Sequence, residues 1–303
     1  MDELLKASAG AVPEAEMNEA RRLVNLGLPP VTSRMALATM FGISPGLIWS
    51  FESRTRKHYR TFFIPKGSGK RRIDAPRIAL KIIQKWLSVH LQKCYQPPEH
   101  VYGFVSAKSH VAAAARHCGA SWVFSVDLKD FFQSTPEVVV INSLERMGFA
   151  VNSATLLAKL SCLNGTLAQG SPSSPVLSNI CFEHVDEQLL KISKMYNVRL
   201  SRYADDITFS GTGVFPAALP EEVLGVFEEG PWRLAEQKTD LAMLPNRLKV
   251  HGLLVHGNHV RLTKGYRNRL RAFRHLLKNH KVSDMDLARV QGHLEYSEFV
   301  ERF

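Results

Sequence analysis

The sequence predicts an α+β protein, and three observations predict it. Alternating apolar and polar residues form paired segments joined by short turns at 60–75 and 198–210. An apolar run, Trp122-Val123-Phe124-Ser125-Val126-Asp127, reads as a buried strand. The stretches between these segments are longer and carry helical periodicity, so strands and helices do not alternate as single βα units.

The elements follow in order. Residues 1–25 read as an amphipathic helix, broken by Pro29-Pro30. Residues 33–53 read as two short helices around Gly42-Ile43-Ser44, with Ser44 as N-cap before Pro45. A DNA-binding helix-turn-helix has this appearance, and so do two packed helices with no groove-reading role. Arg60–Pro65 is a strand, Lys66–Lys70 a glycine-containing turn and Arg71–Ala75 the return strand, which together make a basic hairpin. Helices are expected from Ile78 to about Cys94, over 109–117, over most of 136–163, from Ser174 to Ser193 and within 212–230. Two strand-like pieces, Leu248–His256 and His259–Thr263, turn at Gly257-Asn258, and a basic helical tail follows.

Charge points to a polyanionic partner. Lys plus Arg number 39 against 28 Asp plus Glu, a net +11, which suits nucleic acid. None of the four cysteines is spaced as Cys-x-x-Cys, so they read as small apolar residues in a reducing cytoplasm rather than zinc ligands. No apolar run reaches membrane-spanning length, and Met1–Leu5 lacks the basic-then-apolar start of a signal peptide. The expected setting is cytoplasmic, with no membrane partner.

The chemistry is concentrated in carboxylates. Val198–Arg202 leads into Tyr203-Ala204-Asp205-Asp206, and Ile207–Ser210 leaves it, so a tight turn presents two adjacent aspartates at a sheet rim. Asp127 ends the apolar strand and sits at a sheet edge. Alone, it reads as a strand-end cap. Taken together, three carboxylates from two strands suit two hard divalent ions about 4 Å apart, the arrangement that clamps attacking and leaving oxygens in phosphoryl transfer. Carboxylates so close repel unless a cation compensates them.

With these residues in order, the chain resembles the reverse transcriptases, right-hand RNA-directed DNA polymerases with fingers, an antiparallel palm sheet with helices, and a small helical thumb. Asp127 with Phe131-Phe132 resembles the first catalytic palm motif. Leu167-Ala168-Gln169-Gly170-Ser171-Pro172-Ser173-Ser174-Pro175 resembles the Gln-Gly-x-x-x-Ser-Pro segment, and Tyr203–Asp206 is the Tyr-x-Asp-Asp signature. The resemblance covers roughly residues 60–265. It implies an N-terminal helical region over 1–59, fingers over 60–120, a palm over 121–257 with 136–168 partly in the fingers, and a thumb over 258–303.

The resemblance also implies roles. Asp127 and Asp205 match the principal metal ligands and Asp206 a weaker third, for two Mg²⁺ ions with Mn²⁺ as a substitute. Gln169 and Gly170 match contacts to the incoming nucleotide and template. Phe132 matches the ring that excludes a ribose 2′-OH and so favours deoxynucleotides, while Phe131, on the opposite face of an extended segment, is expected in the core. Lys66 and Arg71 match triphosphate contacts, with Arg72 able to replace Arg71 if the hairpin register shifts by one. Lys238 matches a lysine that protonates the leaving pyrophosphate, or is a surface lysine. Lys249–Leu253 matches the primer-gripping strand.

Within the family, a compact retron enzyme fits better than a group II intron-like one, because 303 residues leave little room for further domains. The retron Asn-Ala-x-x-His segment corresponds to Ala113–His117, with alanine at the Asn position. The Val-Thr-Gly segment corresponds to Val250-His251-Gly252. This implies a cognate structured non-coding RNA, priming from a guanosine 2′-OH, an msDNA product, deoxynucleoside triphosphate substrates, and a separate effector protein in antiphage defence. His251 is implied in RNA recognition. The tail residues Lys264, Arg267, Arg269, Arg271, Arg274, Lys278 and Lys281 cluster on one expected helix with Leu270, Phe273, Leu276 and Leu277 as its apolar face, which suits phosphate contacts. A catalytically silent nucleic-acid-binding module of the same fold is the competing expectation.

Overall fold

The structure is a computed structural model that describes Gly10 and residues 13–67 and 69–303. The first expected helix is seen as α1 (Glu14–Asn25); residues 1–9, 11 and 12 of that expectation lie outside the described residues. The chain divides into two compact units. One comprises Met1–Pro98, Lys129–Asp186 and Glu229–Arg233; the other comprises Glu99–Leu128, Glu187–Glu228 and Leu234–Phe303.

The first unit opens with α1, α2 (Arg34–Phe41) and α3 (Pro45–Ser53). Ser33 and Ser44 cap the latter two, their hydroxyls accepting from Ala36 N and Leu47 N, as Ser44-Pro45 predicts. The basic hairpin is β1 (Tyr59–Lys66) with β2 (Gly69–Pro76), and α4 (Ile78–Cys94) follows. Cross-strand partners are Ile64 with Arg71 and Lys66 with Gly69. Lys66 and Arg71 therefore share one face, and Arg72 lies on the other with Thr61 and Asp74.

The helical stretch 136–163 resolves into α6 (Glu137–Met147) and α7 (Val151–Ser161), separated at Gly148. A two-rung hairpin that the sequence reading missed, β4 (Cys162–Leu163) with β5 (Thr166–Leu167), turns at Asn164-Gly165, both with positive φ. Asn-Gly is the favoured pair for such a turn, so its signal was present. Residues 130–134 turn instead of extending: Asp130 has φ +48. Phe131 is buried against Phe182 and stacks on Phe132, so the expected core role holds but the expected extended segment does not. Helix α8 (Ser174–Met195) belongs to this unit up to Asp186.

The second unit is built on a four-stranded antiparallel sheet in the order β6 (Arg199–Tyr203), β7 (Asp206–Gly211), β3 (Trp122–Asp127), β8 (Asp240–Met243). One face carries Trp122, Phe124, Ile207, Phe209 and Leu200, with Phe215 packed on Trp122 and Phe124. The other face carries Val123, Ser125, Thr208, Ser210 and Ser201. Small hydroxyl side chains on a covered face need partners. His117, after α5 (His110–Ala115), supplies them: its Nδ1 and Nε2 each lie 2.7 Å from a serine Oγ, of Ser210 and Ser201 respectively. Val123 joins a core with Leu248, Val250, Leu253, Val260, Leu270 and Val300.

The chain after residue 246 corrects the sequence reading. The expected long strands are short rungs, β9 (Lys249–Val250) with β10 (Leu253–Leu254), and they turn at His251-Gly252. A single further rung pairs Leu254 with Arg261. The helix expected within 212–230 is α9 (Leu219–Gly225), and the tail is two helices, α10 (Lys264–Lys278) and α11 (Asp284–Val300), so Lys281 lies beyond the basic helix. No helix among the described residues is long and apolar enough to cross a membrane.

Burial pushes the His117 imidazole down to about 3, with the charges of His251, Arg199 and Arg116 acting the same way. Unfolded, it titrates near 6.5. Between those values the unfolded chain binds a proton that the folded chain refuses, so the His117 contribution lowers stability as pH falls from about 6.5 towards 3. Urea midpoints across that window should show a weaker acid slope in His117→Asn than in the wild type; parallel slopes would show that His117 is not the group.

Candidate active site

The acidic residues converge through strand register. Asp127, last in β3, pairs with Asp206, first in β7. Tyr203 pairs with Asp206 across the hairpin, leaving Ala204 and Asp205 as the two turn residues. Side chains of paired positions share a face, so Asp127, Asp206 and Tyr203 emerge at the end of the hydroxyl-lined face.

Only the first turn residue has positive φ, Ala204 at +59, the pattern of a type II′ hairpin turn, which normally puts glycine there. An alanine in this region costs about 1 kcal/mol. The surroundings hold it. Arg202, whose side chain is fully buried, donates from Nη1 to the Ala204 carbonyl at 3.1 Å. Leu128 N donates to the Asp205 carbonyl at 2.9 Å, fastening the turn to the end of β3. Segment 100–103 lines the outer edge of β6: Arg202 N donates to His100 O and Tyr102 N to Arg202 O, each at 2.8 Å. A Cβ at Gly103 would lie 2.1 Å from Ala204 N, so only glycine permits this approach. The sequence reading missed Arg202 and Gly103. An arginine in an alternating strand looks solvent-facing, and Gly103 becomes legible only once its neighbour across the edge is known.

Each outer carboxylate has one cationic or proton-bearing neighbour. Lys238 Nζ donates to Asp127 Oδ1 at 2.5 Å, so the lysine expected at a leaving group rests on a carboxylate here. Burial raises the Asp127 carboxyl above its usual range; the Lys238 hydrogen bond opposes that, and the charges of Asp205 and Asp206 reinforce it. His251 Nδ1 lies 3.1 Å from Asp206 Oδ2 and its ring packs 5.3 Å from that of Tyr203. The His251 side chain is 8% exposed, so the residue expected to touch RNA directs its imidazole at Asp206. The His251-Gly252 turn of β9–β10, positive in φ at both positions, delivers it there.

The donor set suits a hard divalent cation. Among the described residues, no group of three His, Cys, Asp or Glu side chains is placed to hold a metal ion by itself. Mg²⁺ needs none: one or two carboxylates hold it, and water and substrate phosphates complete its shell. A carboxylate raised first by burial and further by its carboxylate neighbours, with one ammonium group opposing, is the electrostatic condition that such an ion relieves.

The remaining predicted residues of the nucleotide site lie in the first unit. Asp74 N donates to Gln169 O at 2.8 Å, fastening the Gln169-Gly170 segment to β2. Gly170 has φ +131, and a Cβ there would meet Asp74 O at 2.8 Å. Ser171 donates to the buried Gln84, which donates in turn to Tyr59 Oη and Leu160 O. Gln133 Nε2 donates to Gln169 Oε1 at 2.9 Å, and Phe132 is half-buried. Arg72 pairs with Asp74 at 3.0 Å, whereas Arg71 has no ion pair among the described residues. The register therefore favours Arg71 with Lys66 as the free basic pair.

The comparisons with known proteins bear on this geometry. Residues 64–281 match the family model "Reverse transcriptase (RNA-dependent DNA polymerase)". The chain belongs to the reverse transcriptase family. It is of the retron type: it is 30% identical over 300 residues to the retron Mx65 reverse transcriptase of Myxococcus xanthus, covering 91% of this chain and 70% of that protein. It is 26% identical over 288 residues to the retron Ec86 reverse transcriptase of Escherichia coli, covering 93% of this chain and 89% of that protein. A solved telomerase from Candida albicans, in complex with a fragment of telomeric RNA, aligns with a TM-score of 0.49 at 11% identity, covering 73% of this chain and 49% of that one. The Tyr203–Asp206 turn lies within the residues that match the family model.

Gly103→Ala drives a methyl group into the backbone of that turn. The expected result is a destabilisation of about 1–3 kcal/mol in denaturant melts, together with a loss of RNA-templated extension greater than the melt alone accounts for. Wild-type extension in Gly103→Ala would mean that the turn does not depend on this contact.

Proposed function

We propose that this retron-type reverse transcriptase copies part of a cognate structured non-coding RNA into msDNA, primed from a guanosine 2′-OH, and serves an antiphage system with a separate effector protein. The observation that carries the polymerase chemistry is the pairing of Asp127 with Asp206 beside the Asp205 turn. The retron relatives over most of the chain support the RNA-primed reading. In this reading the finger, palm and thumb regions are residues 60–120, 121–257 and 258–303.

Asp127 and Asp205 are the principal ligands of two Mg²⁺ ions, with Asp206 as the third carboxylate. When bound, the ions activate the primer hydroxyl and neutralise charge on the triphosphate. The protein's own groups do the rest. Lys66 and Arg71, on one face of the hairpin, take triphosphate oxygens. Gln169 and Gly170 contact the nucleotide and template. The Phe132 ring excludes a 2′-OH. Lys238 holds a proton on Nζ beside Asp127 and passes it to the leaving pyrophosphate.

The exposed cations of α10 support the RNA reading. Lys264, Arg267, Arg271 and Arg274 are exposed and none forms an ion pair among the described residues. Leu270 is buried, and Tyr266 and Phe273 pack on His293 of α11, so the apolar face is spent on folding and the basic face is left for phosphates.

Expression with the cognate operon should yield a co-purifying branched RNA–DNA species; its absence while the purified chain still extends primers would overturn the retron product but not the polymerase. Asp205→Asn should abolish synthesis and leave RNA affinity within about twofold, since the basic surface persists; retained turnover removes the metal role. Phe132→Ala should raise ribonucleotide incorporation relative to deoxynucleotide by about tenfold or more; an unchanged ratio makes that ring part of the core.

A further inference from the structure

We infer that the base of α10 holds a built pocket for one backbone phosphate of a bound nucleic acid. A cavity of about 210 Å³ is lined by Arg247, Leu254, His256, Arg261, Lys264 and Arg267, all within the second unit. Four of the six residues carry a full positive charge and none is acidic. No carboxylate pairs with any of the four among the described residues, so their mutual repulsion is uncompensated among those residues. An anion is the compensating partner.

The cluster is also positioned. Arg261 lies at the isolated rung with Leu254, with backbone hydrogen bonds of 2.8 and 3.0 Å in both directions. Its Nη2 lies 3.0 Å from His256 Nε2. A guanidinium cannot accept a hydrogen bond, so Nε2 accepts and the imidazole proton sits on Nδ1. That Nδ1 is buried and without a partner. His256 Nε2 thus aims the Arg261 guanidinium. Lys264 and Arg267 occupy the first turn of α10, which Thr263 caps by accepting from Tyr266 N, so the local dipole also favours an anion.

Size restricts the occupant. At about 30 Å³ per water the cavity holds roughly seven, enough for a phosphate with its sugar and less than the usual volume of a small-molecule site. The partner is the phosphodiester backbone of RNA or of the product strand, because the chain is a polymerase and the pocket lines one end of its basic helix. This rests on the nucleic-acid reading above but not on the metal site.

The test is binding of a labelled single-stranded RNA oligonucleotide to the full chain in EDTA, so that no catalysis intervenes, across a salt series. Arg247→Ala and Arg261→Ala should each weaken binding about tenfold and reduce the slope of log K against log[salt] by about 0.7, one phosphate's share for a single strand. The double variant should lose little more than either single one, since both arginines grip one group. Unchanged affinity and slope in the single variants overturn the pocket. Losses that multiply in the double variant also overturn it, in favour of a diffuse basic surface. Arg247 is an exposed loop residue, so its variant decides the matter even if Arg261→Ala does not fold. Absence of extension by the wild type with Mg²⁺ would count against the polymerase reading and leave this binding result standing.

Discussion

The antiparallel register that sets Asp127 opposite Asp206 is the constraint on which the rest of the structure depends. A slip of one residue would turn one of the two carboxylates to the aromatic face. The register is specified from both faces. On one, Trp122, Phe124 and Phe209 are large and fully committed to packing. On the other, Ser201 and Ser210 are placed to meet the two nitrogens of a single buried histidine. A slipped sheet would leave both hydroxyls and the imidazole unpaired in a dry interior, so the polar contacts penalise the alternatives more than they stabilise the native pairing.

The turn that carries Asp205 is held in a conformation its own residues do not favour. Ala204 stands where glycine would be relaxed, and the buried Arg202, the Leu128 amide and the close backbone at Gly103 maintain it. Mild strain kept by surrounding structure is common where a side chain must project at a set angle. His251 extends the same logic. In place of the threonine that the retron pattern implies, this chain brings an imidazole to Asp206 on a two-residue turn and packs it on Tyr203. The β9–β10 turn and the Tyr203–Asp206 turn are therefore in direct contact within one unit.

Much of this was legible in the sequence because the signals were local. The hairpin at Tyr203–Asp206 announced itself by alternation on both sides, Ser44-Pro45 by its capping chemistry, and the 60–75 hairpin by glycines between basic strands. The parts that were not legible depend on residues distant in the chain. The sequence places His117 at the end of a small-residue helix and of the Asn-Ala-x-x-His-like segment, but its two serine partners, more than 80 positions away, show only in the fold. Arg202 reads as a surface residue by type and is fully buried. Phe131-Phe132 was read with strand alternation, but Asp130 turns the chain and both rings stack. Leu248–His256 reads as one strand, but the His251-Gly252 turn folds it into β9 and β10.

A carboxylate register of this kind should make DNA synthesis on RNA depend on a divalent ion. The most direct measurement is extension of a primer on an RNA template by the purified full chain as Mg²⁺ is titrated from zero. No product is expected without divalent ion, full-length DNA is expected as the ion saturates, and Asp127→Asn should give no product at any concentration. DNA product in EDTA, or undiminished synthesis by Asp127→Asn, would contradict that dependence.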